Sequence, residues 1–388
     1  MLRFVYADNA ATTKLSKTAY EAMLPWLLEG YGNPSSVYRL GRESRRALDQ
    51  ARDQIAAALG ARPEEIFFTG SGTEADNWAI REVCESRKEK GRHIISCAIE
   101  HHAVFHTLED LEKQGVEVTC LPVDEYGRLC IEDLKAAIRP DTILITIMFA
   151  NNEIGTIQPI AEIGAIAREH GILFHTDAVQ AVGHVPVDVE TMQIDMLSLS
   201  AHKFRGPKGV GALYIKKGIK LPAFITGGAQ EKGRRAGTEN VPGIVGMAAA
   251  LTEAIRDMGQ NRVKVSVLRD KLIAGMLQLP AVRLTGDPVN RLPGSASFVV
   301  ECVEGEALIL MLDAAGIAAS SGSACSSGAL DPSHVLMAIG LSHEVAHGSV
   351  RLSLGEENTE ADVEYILEKI PGIIEKLRAM SPLWEDRV

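Results

Sequence analysis

The sequence has no run of apolar residues approaching the ~20 needed to cross a bilayer, and Asp8 falls where a secretory leader would need its apolar core. Both absences lead to the expectation of a cytoplasmic protein with no membrane partner. A basic stripe is also missing. Lys and Arg number 40 against 51 Asp and Glu, a formal net charge of -11, and RRAG at 234–237 is too short a cluster to neutralise phosphates. No nucleic-acid partner is expected. The six cysteines (Cys84, Cys97, Cys120, Cys130, Cys302 and Cys325) show no CxxC spacing, which fits reduced thiols better than a disulfide framework or a zinc site, and no metal is expected. All but Cys325 lie in helical or strand-like apolar surroundings and are expected to be small buried hydrophobes. Repeats and low-complexity tracts are absent too. The 388 residues, 46% hydrophobic and 23% charged, are enough for two domains around a large core.

What is present is an alternation. Ala47, Leu48, Ala51, Ile55 and Leu59 recur with a helical period that Gly60 ends, which predicts a helix over 45–59. Apolar strand candidates follow at 66–68, 93–97, 116–121, 142–150, 172–176, 196–200 and 211–215. Helical patterns fall at 74–90, 104–114, 131–138 and 160–170. Strands rich in Ile, Val, Leu and Phe, separated by helices, imply an α/β fold with a mostly parallel sheet covered on both faces. Ligands in such sheets bind where strands end in loops. Polar clusters stand at those ends, at 69–73, 100–102, 151–153, 176–180 and 200–203.

At one of them, SLSAHKFRGPKGVG (198–211) places Lys203 between an apolar strand and a Gly/Pro turn. An amine partly removed from water loses its proton more easily, and a neutral amine can attack a carbonyl to form a Schiff base. HTDAVQA (175–181) runs a strand into Asp177. A buried acid there needs a cation or several hydrogen bonds, unless it merely caps a helix. TGSGT (69–73) joins a strand to a helix, so backbone N–H groups and the helix dipole can hold an anion, although such a turn can also be a plain cap. A lysine for an aldehyde, a carboxylate for a ring nitrogen and an anion site for a phosphate are together what pyridoxal 5'-phosphate requires.

With these residues assembled, the chain resembles the cysteine desulfurases, a branch of the fold-type I pyridoxal-phosphate enzymes that supplies sulfur for iron–sulfur cluster assembly and nitrogen fixation. The resemblance is carried by DNAATT (8–13), GNPSS (32–36), TGSGTEADN (69–77), IEHHAV (99–104), NNEIGT (151–156) and HTDAVQ (175–180). It continues through SAHKFRGPKGVG (200–211), GGAQEKGRRAGTEN (227–240), SGSACSSG (321–328) and VRLSLG (350–355). It implies a large cofactor-binding domain, 15–258, on a mostly parallel seven-stranded sheet, with a smaller α/β domain made of 1–14 and 259–388. Composition places the boundary where a helix predicted over 243–258 reaches Gly259, Gln260 and Asn261. Strands are expected in the small domain at 295–300 and 316–320.

The resemblance further implies that Lys203 holds the cofactor aldehyde as a Schiff base, that Asp177 pairs with the pyridine nitrogen, and that His101 stacks on the ring and moves protons. Gln180 would hydrogen-bond the ring hydroxyl oxygen. Gly72, Thr73, Ser200 and His202 would hold the phosphate, joined by Thr238 from the neighbouring subunit of a homodimer with shared active sites. Asn152 and Arg351 would bind the carboxylate of L-cysteine, a task suited to the guanidinium fork. Cys325 lies in a Gly/Ser-rich stretch without apolar periodicity, which predicts an exposed, mobile loop. In the implied reaction the lysine removes the α-proton, the Cys325 thiolate takes the substrate sulfur as a persulfide, and alanine leaves. The sulfur then passes to an iron–sulfur scaffold or another acceptor protein.

The long segment around Cys325 is similar to that of members that hand sulfur to scaffolds. LWEDRV at the end shows no housekeeping-type docking tail, so a nitrogen-fixation or other specialised role is also expected. Ala236 stands where serine is frequent in the family. A selenocysteine lyase or another class-V pyridoxal-phosphate enzyme is the alternative; Cys325 separates the reading from aminotransferases and kynureninase-like hydrolases, which need no nucleophilic cysteine. An inactive sulfur-relay scaffold is disfavoured by the intact set of Lys203, Asp177, His101, Gln180 and Arg351.

Overall fold

The structure, a computed structural model, describes residues 3–321 and 332–385. The chain opens with β1 (Val5–Tyr6), α1 (Lys17–Leu28), α2 (Arg39–Leu59), β2 (Ile66–Thr69) and α3 (Gly72–Arg87). It continues through β3 (His93–Cys97), α4 (His102–Glu112), β4 (Glu117–Leu121), α5 (Ile131–Ala137), β5 (Thr142–Thr146), α6 (Ile160–Glu169), β6 (Leu173–Asp177), β7 (Met196–Ser200) and β8 (Gly211–Ile215). The long α7 (Val241–Met276) leads to β9 (Val282–Leu284), β10 (Ser295–Val300), α8 (Gly305–Ala314) and β11 (Ile317–Ala318). Last come α9 (His334–Ala338), α10 (His343–His347), β12 (Ser349–Ser353), α11 (Glu360–Arg378) and α12 (Pro382–Glu385).

Seven strands form one sheet in the order β2-β8-β7-β6-β5-β3-β4. The pairs β4/β3, β3/β5, β5/β6 and β6/β7 are parallel, whereas β8 runs antiparallel to both β7 and β2. Strands covered on both faces must be apolar on both, which is why they read as continuous Ile/Leu/Val runs. Alternate residues serve different layers: Ile66 and Phe68 join the core under α2, α6 and the start of α7, while Phe67 joins Trp78, Ile80 and Val83 of α3. A second sheet, β12-β10-β9, is wholly antiparallel and packs with α8, α11 and the later turns of α7 around Phe298, Leu272, Val350 and Ile370. Val5 and Ala7 of the N-terminal segment belong to this second core.

The helix predicted to stop at residue 258 runs instead through Gly259 as one 36-residue helix. Its apolar spacing resumes at Val265, Leu268, Leu272 and Met276, and this packing outweighs the ~1 kcal/mol that a helical glycine costs. Strand β5 ends at Thr146 rather than 150, although Ile147–Ala150 stay buried. Two cysteines also depart from expectation. Cys120 is exposed because β4 is an edge strand, and Cys130 is exposed just before α5; Cys97 is buried, while Cys84 and Cys302 are half-buried.

Candidate active site

The parallel strands point their carboxyl ends at one cavity of about 310 Å³. Lys203, His101, Asp177, Gln180, Gly72, Thr73, Ser200, His202, Asn152 and Arg351 all line it. Thr238 lines a different cleft, with Thr69, Gly70 and Arg235. Cys325 lies outside the described residues.

Lys203 follows β7 in a single tight turn, Ala201–Lys203, and its Nζ donates to the carbonyls of Ala10 (2.6 Å) and Ala11 (2.9 Å). The N-terminal segment therefore passes directly beneath the amine. Thr13 anchors that passage with its N–H and hydroxyl on the His202 carbonyl, 2.9 and 2.8 Å away. Gln180 Nε2 also donates to the Ala10 carbonyl, at 2.9 Å.

Asp177 ends β6, 6% exposed, with Oδ1 accepting from the Val179 N–H at 2.9 Å. Burial raises its pKa, while His101, that N–H and Lys203 pull it back down. His101 caps α4: its Nδ1 accepts from the Ala103 N–H at 3.1 Å, which leaves the proton of the neutral ring on Nε2. Burial lowers the pKa of His101, partly opposed by Asp177.

The turn after β2 feeds α3, a 16-residue helix whose N-cap Ser71 accepts from the Glu74 N–H. Gly72 cannot carry a side chain without movement, because a Cβ there would stand 2.6 Å from Val179 Cγ2 and 3.5 Å from Ser200 Cβ. Backbone N–H groups, the Thr73 and Ser200 hydroxyls and the positive end of the helix dipole consequently meet at one wall. His202 joins them through Nδ1, 3.2 Å from Thr12 Oγ1; burial, aided by Lys203 and Lys208, pushes it down to about 4, so the ring is neutral.

The opposite wall comes from the small antiparallel sheet. Arg351 of β12 is 3% exposed, donates from Nη1 to the Asn152 carbonyl (2.9 Å) and pairs through Nη2 with Asp8 (3.1 Å). Among the described residues its Nε has no hydrogen-bond partner. Asn151, not Asn152, holds the loop together, donating to the Ile99 carbonyl and accepting from the N–H groups of Glu153 and Ile154. Beside it, burial raises Glu153 to about 7 against the opposing pull of the Ser333 hydroxyl and Arg351.

Pyridoxal phosphate fits these donors. The glycine-lined helix terminus suits its phosphate, the buried Asp177 its ring nitrogen, and the Lys203 amine its aldehyde. The unsatisfied Nε of Arg351 suits a substrate carboxylate. Asp8, Asp76 and the Ala10 and Ala11 carbonyls were not singled out by sequence reasoning. Asp76 had a signal, since it follows Thr73 by three residues and shares its helix face; a backbone carbonyl has none.

Comparison with known proteins agrees with this geometry. The aminotransferase class-V family model matches residues 5–366. The cysteine desulfurase IscS of Methanosarcina thermophila is 57% identical over 379 residues, covering 98% of this chain and 94% of its own. A solved NifS-like protein superposes with a TM-score of 0.92 at 39% identity, covering 97% of this chain and all of the other. A second solved structure, SspA in complex with cysteine, gives a TM-score of 0.81 at 38% identity over 91% of this chain and 99% of its own. The chain belongs to the class-V aminotransferase family, within its cysteine desulfurase branch.

Proposed function

We propose that the protein uses pyridoxal phosphate to convert L-cysteine to L-alanine, with Cys325 receiving the sulfur as a persulfide and passing it to an acceptor protein for iron–sulfur cluster assembly. The observation that carries this reading is the convergence of Lys203, the buried Asp177 and the buried Arg351 on one cavity of about 310 Å³. That one solved relative was obtained in complex with cysteine supports the choice of substrate.

Arg351 and Asn152 hold the substrate carboxylate, and Asp8 keeps the guanidinium facing it. Lys203 removes the α-proton, and His101, protonated on Nε2, returns one. When bound, pyridoxal phosphate supplies the sink for the electron pair that deprotonation leaves on the α-carbon. Gly72, Thr73, Ser200 and His202 fix its phosphate, and Gln180 its ring hydroxyl. The Cys325 thiolate attacks the substrate sulfur; the new S–S bond forms as the C–S bond breaks, and protonation of the carbon skeleton gives alanine.

The same reading makes the protein a cytoplasmic homodimer, each Thr238 completing its neighbour's phosphate site. Leu27, Leu28, Tyr31 and Val37, between 55% and 87% exposed on α1 and before α2, support a subunit interface. Among the described residues no helix is long and apolar enough to cross a membrane. Residues 15–258 form the cofactor domain, and 1–14 with 259–388 the smaller one, a division supported by a buried cluster drawn wholly from the latter two stretches, Val5 and Ala7 with residues between Val265 and Ile374. The test is to incubate purified protein with pyridoxal phosphate, L-cysteine and a thiol reductant. Alanine and sulfide should accumulate in equal amounts; cysteine consumption with pyruvate or no sulfide would overturn the assignment.

A further inference from the structure

Beneath the cavity, the structure holds more acid than binding a cofactor requires. Asp76, on α3, lines the cavity beside Asp177 and is 1% exposed. Among the described residues its Oδ1 has no hydrogen-bond partner, and it lies 3.6 Å from His175 Nε2. The Ser198 hydroxyl sits 3.0 Å from His175 Nε2 and is close enough to the same carboxyl to favour its charged form, while His175 Nδ1 lies 2.9 Å from Thr146 Oγ1. The register explains the arrangement: Ser198 stands opposite Asp177 across β7 and β6, and His175, two residues earlier on β6, shares the face of Asp177.

The groups facing Asp76 are Asp177, Glu100 and His175, and His101 and Lys203 act on Asp177. Burial is the main force against ionisation of Asp76, the like charges of Asp177 and Glu100 add to it, and only the Ser198 hydroxyl pulls the other way. His175 cannot compensate, because burial pushes it down to about 3 and keeps its ring neutral. Asp177, in contrast, has the Val179 N–H at 2.9 Å and both Lys203 and His101 favouring its charge. Two desolvated carboxyls with cationic help on one side only carry one charge between them.

We propose that Asp76 is a positioning residue, the proton-holding partner of Asp177: with Ser198 and His175 beside it, it keeps the pair singly charged with the negative charge on Asp177. The consequence is that the ring nitrogen meets one fixed carboxylate, and a neutral acid behind it. This rests on the cofactor reading for its purpose but not for its measurement.

The experiment is infrared spectroscopy of the full chain without added cofactor, reading the carbonyl stretch of a protonated carboxylic acid. At pH 7.5 the wild type minus Asp76→Asn difference should show that band, with Glu100 and Glu153 cancelling. Labelling with ¹³C-aspartate should shift the band in the unmutated chain, which keeps the test valid if the variant misfolds. In Asp177→Asn, where the neighbouring charge is gone, the band should disappear at a pH lower by about one unit or more. A difference spectrum without the band, an unshifted band on labelling, or an unchanged midpoint in Asp177→Asn would overturn the proposal. Adding pyridoxal phosphate to the wild type separates the two readings: no visible absorbance of a bound cofactor, with the infrared result intact, would retire the cofactor reading alone.

Discussion

The two walls of the cavity handle buried acids in opposite ways. At the sheet-end floor, Asp177, Asp76 and Glu100 crowd together without an arginine among them, and protonation decides which is charged. At the arginine wall, Asp8 meets Arg351 at 3.1 Å across a sequence separation of 343 residues, and ion pairing decides. The floor is built from neighbouring parallel strands whose register is fixed by the sheet. The arginine wall is assembled from the N-terminal segment, the 151–156 loop and β12, so it depends on tertiary docking. The floor thus suits proton chemistry, and the wall suits recognition of a carboxylate.

Lys203→Ala should break the floor most severely. Alanine formation should fall by about 10⁴-fold or more, because the base and the aldehyde-binding amine are lost together; turnover within tenfold of wild type would remove Lys203 from the chemistry. Arg351→Lys keeps the charge but loses the fork. It should lower kcat/KM for L-cysteine by about 10–100-fold, mostly through KM, with the bound-cofactor spectrum unchanged. An effect on kcat alone would move Arg351 away from carboxylate binding.

Acid and alkali should separate the two walls in stability. His175 is neutral in the folded protein down to about pH 3, whereas an unfolded histidine gains its proton near 6.5, so stability falls as pH drops below about 6.5. The loss from His175 is about 2 kcal/mol at pH 5, read by denaturant unfolding, and His175→Gln should flatten it. Glu153 works in reverse. Its folded pKa of about 7 lies above the unfolded value, so its stabilisation is complete below about pH 4.5 and lost as pH rises through 7. Glu153→Gln should remove about 2 kcal/mol of the decline between pH 5 and 8. Asp8→Asn should do least, raising KM about threefold to tenfold, since it weakens an ion pair but leaves an acceptor for Arg351.

The floor was the more legible wall in sequence. Parallel strands announce themselves as apolar runs, and Asp177, Ser200 and Lys203 stand where those runs stop. The position of Arg351 on a buried strand could be read, but its partner Asp8 could not, because nothing local links residues 8 and 351. Helix α1 escaped notice: Tyr20, Leu24, Leu27 and Leu28 are exposed and Pro25 lies within it, so its apolar pattern does not mark a buried face. The carbonyls of Ala10 and Ala11 that hold Lys203 carry no residue-type signal at all.

The most direct test of the central claim is the mass of the Cys325 peptide after a single turnover with L-cysteine in the absence of reductant. The account predicts a gain of one sulfur atom on Cys325, released by a thiol, with one alanine formed per site and neither product in Lys203→Ala. Alanine formed while the Cys325 peptide keeps its unmodified mass would contradict it.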